Sequence, residues 1–226
     1  MAPLLVAKPV TAQFRCRSLF GPPKYDLYKV EISAALATKL AETYGLKSTD
    51  IIVNQSAAST HYLSFRYFFP GEPFRHMDVL IGLDQTEIVF SNPATIPELT
   101  SETGRVFDVV LQTLTPVVTG AYFEATLHCE TAKIGAQAFF NEMLRVPSPG
   151  PGIPKGVSFS TQDGDDLAKL NLEVSDSVQD GLYVVFAFVR KAVVSDIESF
   201  SGLFKVVLTA YRNLQDSASV RIVERP

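Results

Sequence analysis

The chain has 226 residues, 46% of them hydrophobic and 19% charged, enough to fill a sizeable core as one large domain or two small ones, and too apolar for a disordered chain. Twenty Lys and Arg against twenty-four Asp and Glu, a net charge of -4, argue against broad nucleic-acid or anionic-membrane binding. The longest apolar run, Leu182 to Val189, falls far short of the ~18 residues of a membrane-spanning helix. The start at Met1 lacks the basic segment and long apolar run of a signal peptide. The expectation is a cytoplasmic protein with no membrane partner.

The first predicted strand is Val10 to Ser18, with Ala12, Phe14 and Cys16 on one face and Gln13, Arg15 and Arg17 on the other. A helix follows over about Ile32 to Tyr44, stopped by Gly45. Strands are expected over His61 to Phe69, Met77 to Leu83 and Glu87 to Ser91, with turns at Pro70-Gly71-Glu72-Pro73 and Leu83-Asp84-Gln85-Thr86. Thr95-Ile96-Pro97-Glu98 has capping-box spacing with proline in the first turn, and opens a second helix with Leu99, Val106, Val110 and Leu114 on its apolar stripe.

The same order then recurs. Val117 to Cys129 alternates as a long strand, and Lys133 to Arg145 reads as a helix. After the stiff connection 148–154 come strands Val157 to Thr161, Ala168 to Val174 and Leu182 to Val189, turning at 163–166 and 179–181. A final helix opens at Ser195-Asp196-Ile197-Glu198 and carries the stripe Ile197, Phe200, Phe204, Val207, Leu208, Tyr211, and Val220 to Val223 forms a short closing edge strand. The expected fold is therefore α+β: two consecutive strand-helix-three-strand-helix halves, residues 1–115 and 116–226, packed as one unit. Antiparallel sheets with helices on one face follow from this order. The openings Val10-Thr11-Ala12-Gln13-Phe14 and Val118-Thr119-Gly120-Ala121-Tyr122-Phe123 are alike, and the layout is similar to the duplicated saddle of the TATA-binding-protein superfamily. The likeness is one of element order alone, so no residue role comes with it.

Two strands carry apolar residues on both faces. In 62–69, Leu63, Phe65, Tyr67 and Phe69 oppose a face that adds Tyr62 and Phe68 to Ser64 and Arg66; in 182–189, Leu182, Val184, Phe186 and Phe188 oppose Tyr183, Val185, Ala187 and Val189. A helix layer covers one face of a sheet, so the second must meet the other half, another subunit, a protein partner or a ligand. Tyr62, Phe65, Tyr67, Phe186 and Phe188 are the candidate binding surface, or the lining of a pocket between sheet and helices.

The inventory of chemistry is thin. Cys16 and Cys129 end alternating apolar runs and read as core thiols. His61, His76 and His128 make no metal-ligand spacing with cysteine or carboxylate. His76 and Asp78 share a strand face and read as a surface pair. Asp163-Gly164-Asp165-Asp166 lacks the closing Glu of a calcium loop, since Val174 stands there. Gly150-Pro151-Gly152 is broken by proline, and Ser199-Phe200-Ser201-Gly202 lies within a helix, so neither a phosphate loop nor a nucleophile elbow results. Arg15, Arg17, Arg66 and Arg190 with Tyr62 and Tyr67 form a nucleic-acid surface only if the arginines share one face. The expected function is non-catalytic binding or assembly through an apolar sheet surface, by self-association to a homo-oligomer or with a protein partner, without cofactor or metal. The alternative is a small-molecule-binding or enzymatic α+β fold with an aromatic-lined cavity.

Overall fold

Alternation of apolar and polar residues at period two gives each strand one face to bury, and the chain resolves that demand with a single wide sheet. The computed structural model describes residues 4–54, 61–93, 95–132, 134–144, 156–191 and 197–223, apart from the side chains of 48 and 197–201. In chain order the elements are β1 (Leu5–Phe20), α1 (Val30–Tyr44), β2 (Ile51–Val53), β3 (Leu63–Phe68), β4 (His76–Ile81), β5 (Gln85–Ser91), α2 (Ile96–Leu114), β6 (Val118–Ala132), α3 (Ala136–Leu144), β7 (Gly156–Asp163), β8 (Asp166–Val174), β9 (Leu182–Arg190), α4 (Ile197–Ser217) and β10 (Val220–Ile222). The fold is α+β, a ten-stranded sheet with four helices, in the order β2-β3-β4-β5-β1-β6-β9-β8-β7. Every pairing along that path is antiparallel. β10 alone pairs parallel, against the start of β1.

β1 begins five residues before the alternation suggests, because a bulge between Pro9 and Thr11 shifts the pattern. Leu5 and Ala7 are buried before it, and Ala12, Cys16, Ser18 and Phe20 after it, so odd positions give way to even ones on the same face. The short edge strand β2 was not expected; three residues are too few to show a period. α2 starts as expected, with the Thr95 side chain accepting the Glu98 backbone N–H and proline in the first turn. α1 ends at Gly45, whose φ of 62° suits a residue without Cβ. The predicted helix 133–145 is shorter, Ala136–Leu144, and residues 133 and 145 lie outside the described residues, as do the connection 148–154 and the start of the last helix at 195–196. The 163–166 segment is a hairpin turn between β7 and β8, with Gly164 at a φ of 56°.

Register shows which side chains share a face. Ile51, Phe65, Val79, Ile88, Cys16, Phe123, Phe188 and Ala168 are successive Cα partners from β2 across to β8, and all are buried. The helices lie on this face. Tyr44 of α1 meets Phe65 and Tyr67 with ring centroids 5.5 and 5.1 Å away. Phe204 and Tyr211 of α4 meet Phe123 and Phe186 at 5.0 and 4.9 Å. α2 packs against both α1 and α4, and α3 against β8. The buried phenylalanines among these aromatics, Phe65, Phe123, Phe186 and Phe204, each contribute roughly 1.5–3 kcal/mol of apolar transfer free energy. No described helix is long and apolar enough to cross a membrane.

Candidate functional site

The far side of the sheet carries no described helix, and its side chains follow from the same registers. One row runs Leu80, Glu87, Arg17, Tyr122, Val189, Leu167; the next runs Arg66, Asp78, Val89, Arg15, Glu124, Ala187, Lys169. Oppositely charged side chains are therefore neighbours across strands, where direct and diagonal pairs meet. Arg15 Nε lies 2.8 Å and Arg17 NH2 3.2 Å from the two carboxylate oxygens of Glu87. The Arg15 N–H is misaligned for a hydrogen bond, so that contact is ionic attraction. Under the two guanidinium groups the Glu87 side chain is only 8% exposed. Arg15 also reaches Glu124 at 3.7 Å, and the Tyr122 hydroxyl donates to Glu124. Burial first, and that hydrogen bond second, push the Tyr122 phenol up to about 12. Arg66 grips Asp78 through two bonds of 2.5 and 2.9 Å, so the carboxylate beside His76, 3.7 Å away, already has a partner and does not orient a general base.

This pairing bears on nucleic-acid binding. Arg15, Arg17 and Arg66 do share the open face, but each faces a carboxylate there. Arg190 aligns with Ala121 and Asp166 on the helix side and is ion-paired to Asp166. A phosphate backbone would find little unpaired positive charge.

The predicted aromatic set divides. Tyr62 precedes β3 and is buried edge-on against Tyr28, 5.5 Å between centroids. Phe65 and Tyr67 pack under α1. Phe186, 3% exposed, lies under α4, and Phe188, 1% exposed, beside Phe123. All five are thus on the side of the helices or at its margin. On the open face, β3 shows Phe68, 54% exposed and 5.7 Å from the His76 ring. The broader apolar stripe belongs to β9, whose Tyr183, Val185, Ala187 and Val189 are half-buried and bordered by Tyr122 and the exposed Leu167.

A second site lies between α2, α4 and the centre of the sheet, a cavity of about 520 Å³. Ala12, Phe14, Leu127 and Phe186 are on its floor, Leu99 of α2 and Phe204, Val207 and Tyr211 of α4 on its walls. Of the predicted residues it takes Phe186 alone. Its polar border is Thr95 at the cap of α2, Arg212 and Gln215 on α4 and the exposed Arg221 on β10, with Arg15 and Glu124 of the sheet beneath. The volume lies within the roughly 300–1,000 Å³ of small-molecule pockets.

One further pair resembles catalytic machinery. His128 Nδ1 lies 2.9 Å from the Ser175 hydroxyl, and the His128 ring packs on Tyr183 at 4.7 Å. The Ser175 oxygen accepts the backbone N–H groups of Ser177 and Val178, at 3.2 and 3.1 Å. Both lone pairs are engaged in closing a turn, and an attacking hydroxyl needs one free. Cys16 and Cys129 are buried, free thiols on the helix side. Desolvation raises the Cys16 thiol well above its ordinary value and Cys129 to about 12, which suppresses the reactive thiolate. Among the described residues no group of three or more His, Cys, Asp or Glu is placed to hold a metal ion. No model of a known protein family matches the chain, and no curated protein matches it.

Proposed function

We propose that the chain is a non-catalytic assembly protein that self-associates through the open sheet face, with the β9 stripe as the centre of the contact. The observation that carries this reading is that stripe: Tyr183, Val185, Ala187 and Val189 stand on the face without a described helix, bordered on the β6 and β1 side by Arg15, Arg17, Glu87 and Glu124, which neutralise one another. An apolar centre inside a polar, charge-balanced margin suits a protein surface. Sedimentation over a concentration series tests it. Val185→Asp should lower the association constant by tenfold or more, since even ~1.4 kcal/mol is a decade, with the melting temperature nearly unchanged. A wild-type chain that stays monomeric at every concentration overturns self-association.

We also propose that residues 1–115 and 116–226 are duplicated halves in the arrangement of the TATA-binding-protein superfamily. In support, β5-β4-β3-β2 extend outward from β1 as β9-β8-β7 extend from β6. Two free, buried thiols fit a reducing compartment, and we take the cytoplasm as the place of action. A second reading, small-molecule binding, is favoured by the apolar cavity between α2 and α4.

A further inference from the structure

The geometry points to the chemical class of ligand that the cavity would take: an amphipathic carboxylate, its apolar body against the sheet floor and its head group held by Arg212 and the Gln215 amide. The inference rests on the small-molecule reading above.

The floor and walls offer Phe14, Leu99, Phe123, Phe186 and Val207, surface that favours hydrocarbon and gives a polar body nothing to bond. The polar lining is Thr95, whose hydroxyl accepts the Glu98 N–H, Arg15 and Glu124, which pair on the far face of the sheet, and Arg212, Gln215 and the exposed Arg221. Arg212 and Gln215 are three residues apart on α4, hence neighbours on one helix face, and both border the cavity. The buried Gln215 is oriented by β10, since its Oε1 accepts the Ile222 backbone N–H at 2.8 Å. That leaves the Gln215 NH2 as a donor without a partner among the described residues. Arg212 is exposed at the rim and makes no ion pair among the described residues, and its planar fork matches a carboxylate. Among the described residues the free charge at the cavity is therefore positive, on Arg212 and Arg221, and the Gln215 amide adds a donor. A ligand must bring the acceptors, and negative charge satisfies the arginines. Glu124 belongs to the sheet centre beneath the cavity, but its carboxylate is engaged by Tyr122 and Arg15 on the opposite face, so it does not repel an anionic head group.

Calorimetric titration of the full chain with laurate, lauryl alcohol and laurylamine, below their micelle concentrations, tests this. Laurate should bind at least tenfold more tightly than the alcohol, and the amine most weakly. Arg212→Gln should reduce that preference, and the double variant Arg212→Gln/Arg221→Gln should remove it, each leaving the affinity for the alcohol unchanged. Ala125→Leu, which fills the floor, should weaken all binding; Val207→Phe serves if the first variant melts early. Equal affinity for laurate and alcohol, or a preference for the amine, overturns the carboxylate assignment while the cavity reading stands. No binding of any of the three overturns both, and laurate binding untouched by a folded cavity-filling variant places the ligand elsewhere and also overturns the assignment.

Discussion

Phe188 and Val189 are adjacent in the chain and opposed in the sheet, so one pair of truncations reports which face is the core. Phe188 is 1% exposed, registered between Phe123 and Ala168, with its ring 6.3 Å from that of Phe123. Phe188→Ala removes the whole phenyl ring, and the small Ala168 beside it cannot expand to refill the space. Losses of this kind cost about 3–5 kcal/mol. At roughly 2–4 °C per kcal/mol for a chain of this size, the melting temperature should fall by roughly 6–20 °C. Phe188 is the better choice than Phe186, which borders the cavity, so that truncation there would enlarge an existing space. Val189→Ala, on the half-buried face without described helices, should cost less than about 1 kcal/mol. Thermal and urea unfolding followed by circular dichroism, with sedimentation on the same samples, checks both. A Phe188→Ala variant that melts with the wild type, or a Val189→Ala variant that loses more stability than Phe188→Ala, would refute the assignment of faces.

Two further outcomes follow from buried groups. Cys16 and Cys129 are buried with raised thiol values, so alkylation should be slow in the native chain and fast in denaturant; rapid labelling of either in the native state contradicts the packing around it. Asp108 on α2 has a buried carboxylate oxygen without a hydrogen-bond partner, and desolvation raises its value above 3.8. The folded state thus holds that proton more tightly than the unfolded state, so stability falls as pH rises from about 3.8 through the folded value, and the whole cost is present above it. Asp108→Asn should melt higher than wild type at neutral pH, with the gap closing in acid; a gap independent of pH would show that charge is not the cause.

Legibility differed by element. The α2 start was readable because its cap is local: Thr95 and Glu98 are three residues apart and bond directly. The β9 strand was readable because Leu182 to Val189 is a short run rich in β-branched and aromatic residues, too short for a typical helix and preceded by the turn at 179–181. The start of β1 was not, since the bulge after Pro9 reverses the alternation. Alternation over 62–69 sets Tyr62 beside Ser64 and Arg66, but the strand begins at Leu63, and a residue before a strand is free of its alternation. Expected as part of a double-faced strand, it turns instead into the core against Tyr28.

By itself, the sequence determined the period of each segment, hence the strands, the helices, the α+β class and the two opposed faces of β9, because these depend on neighbours within a few residues. Tertiary structure alone decided what each face meets. Glu87 is shielded by Arg15 and Arg17, some seventy positions away, and Arg190 leaves the other arginines for the helix side through pairing with Asp166. The cavity likewise needs β1, β6 and β9 beneath α2 and α4 at once. Contacts across such separations are set by sheet order and register, which no local period encodes.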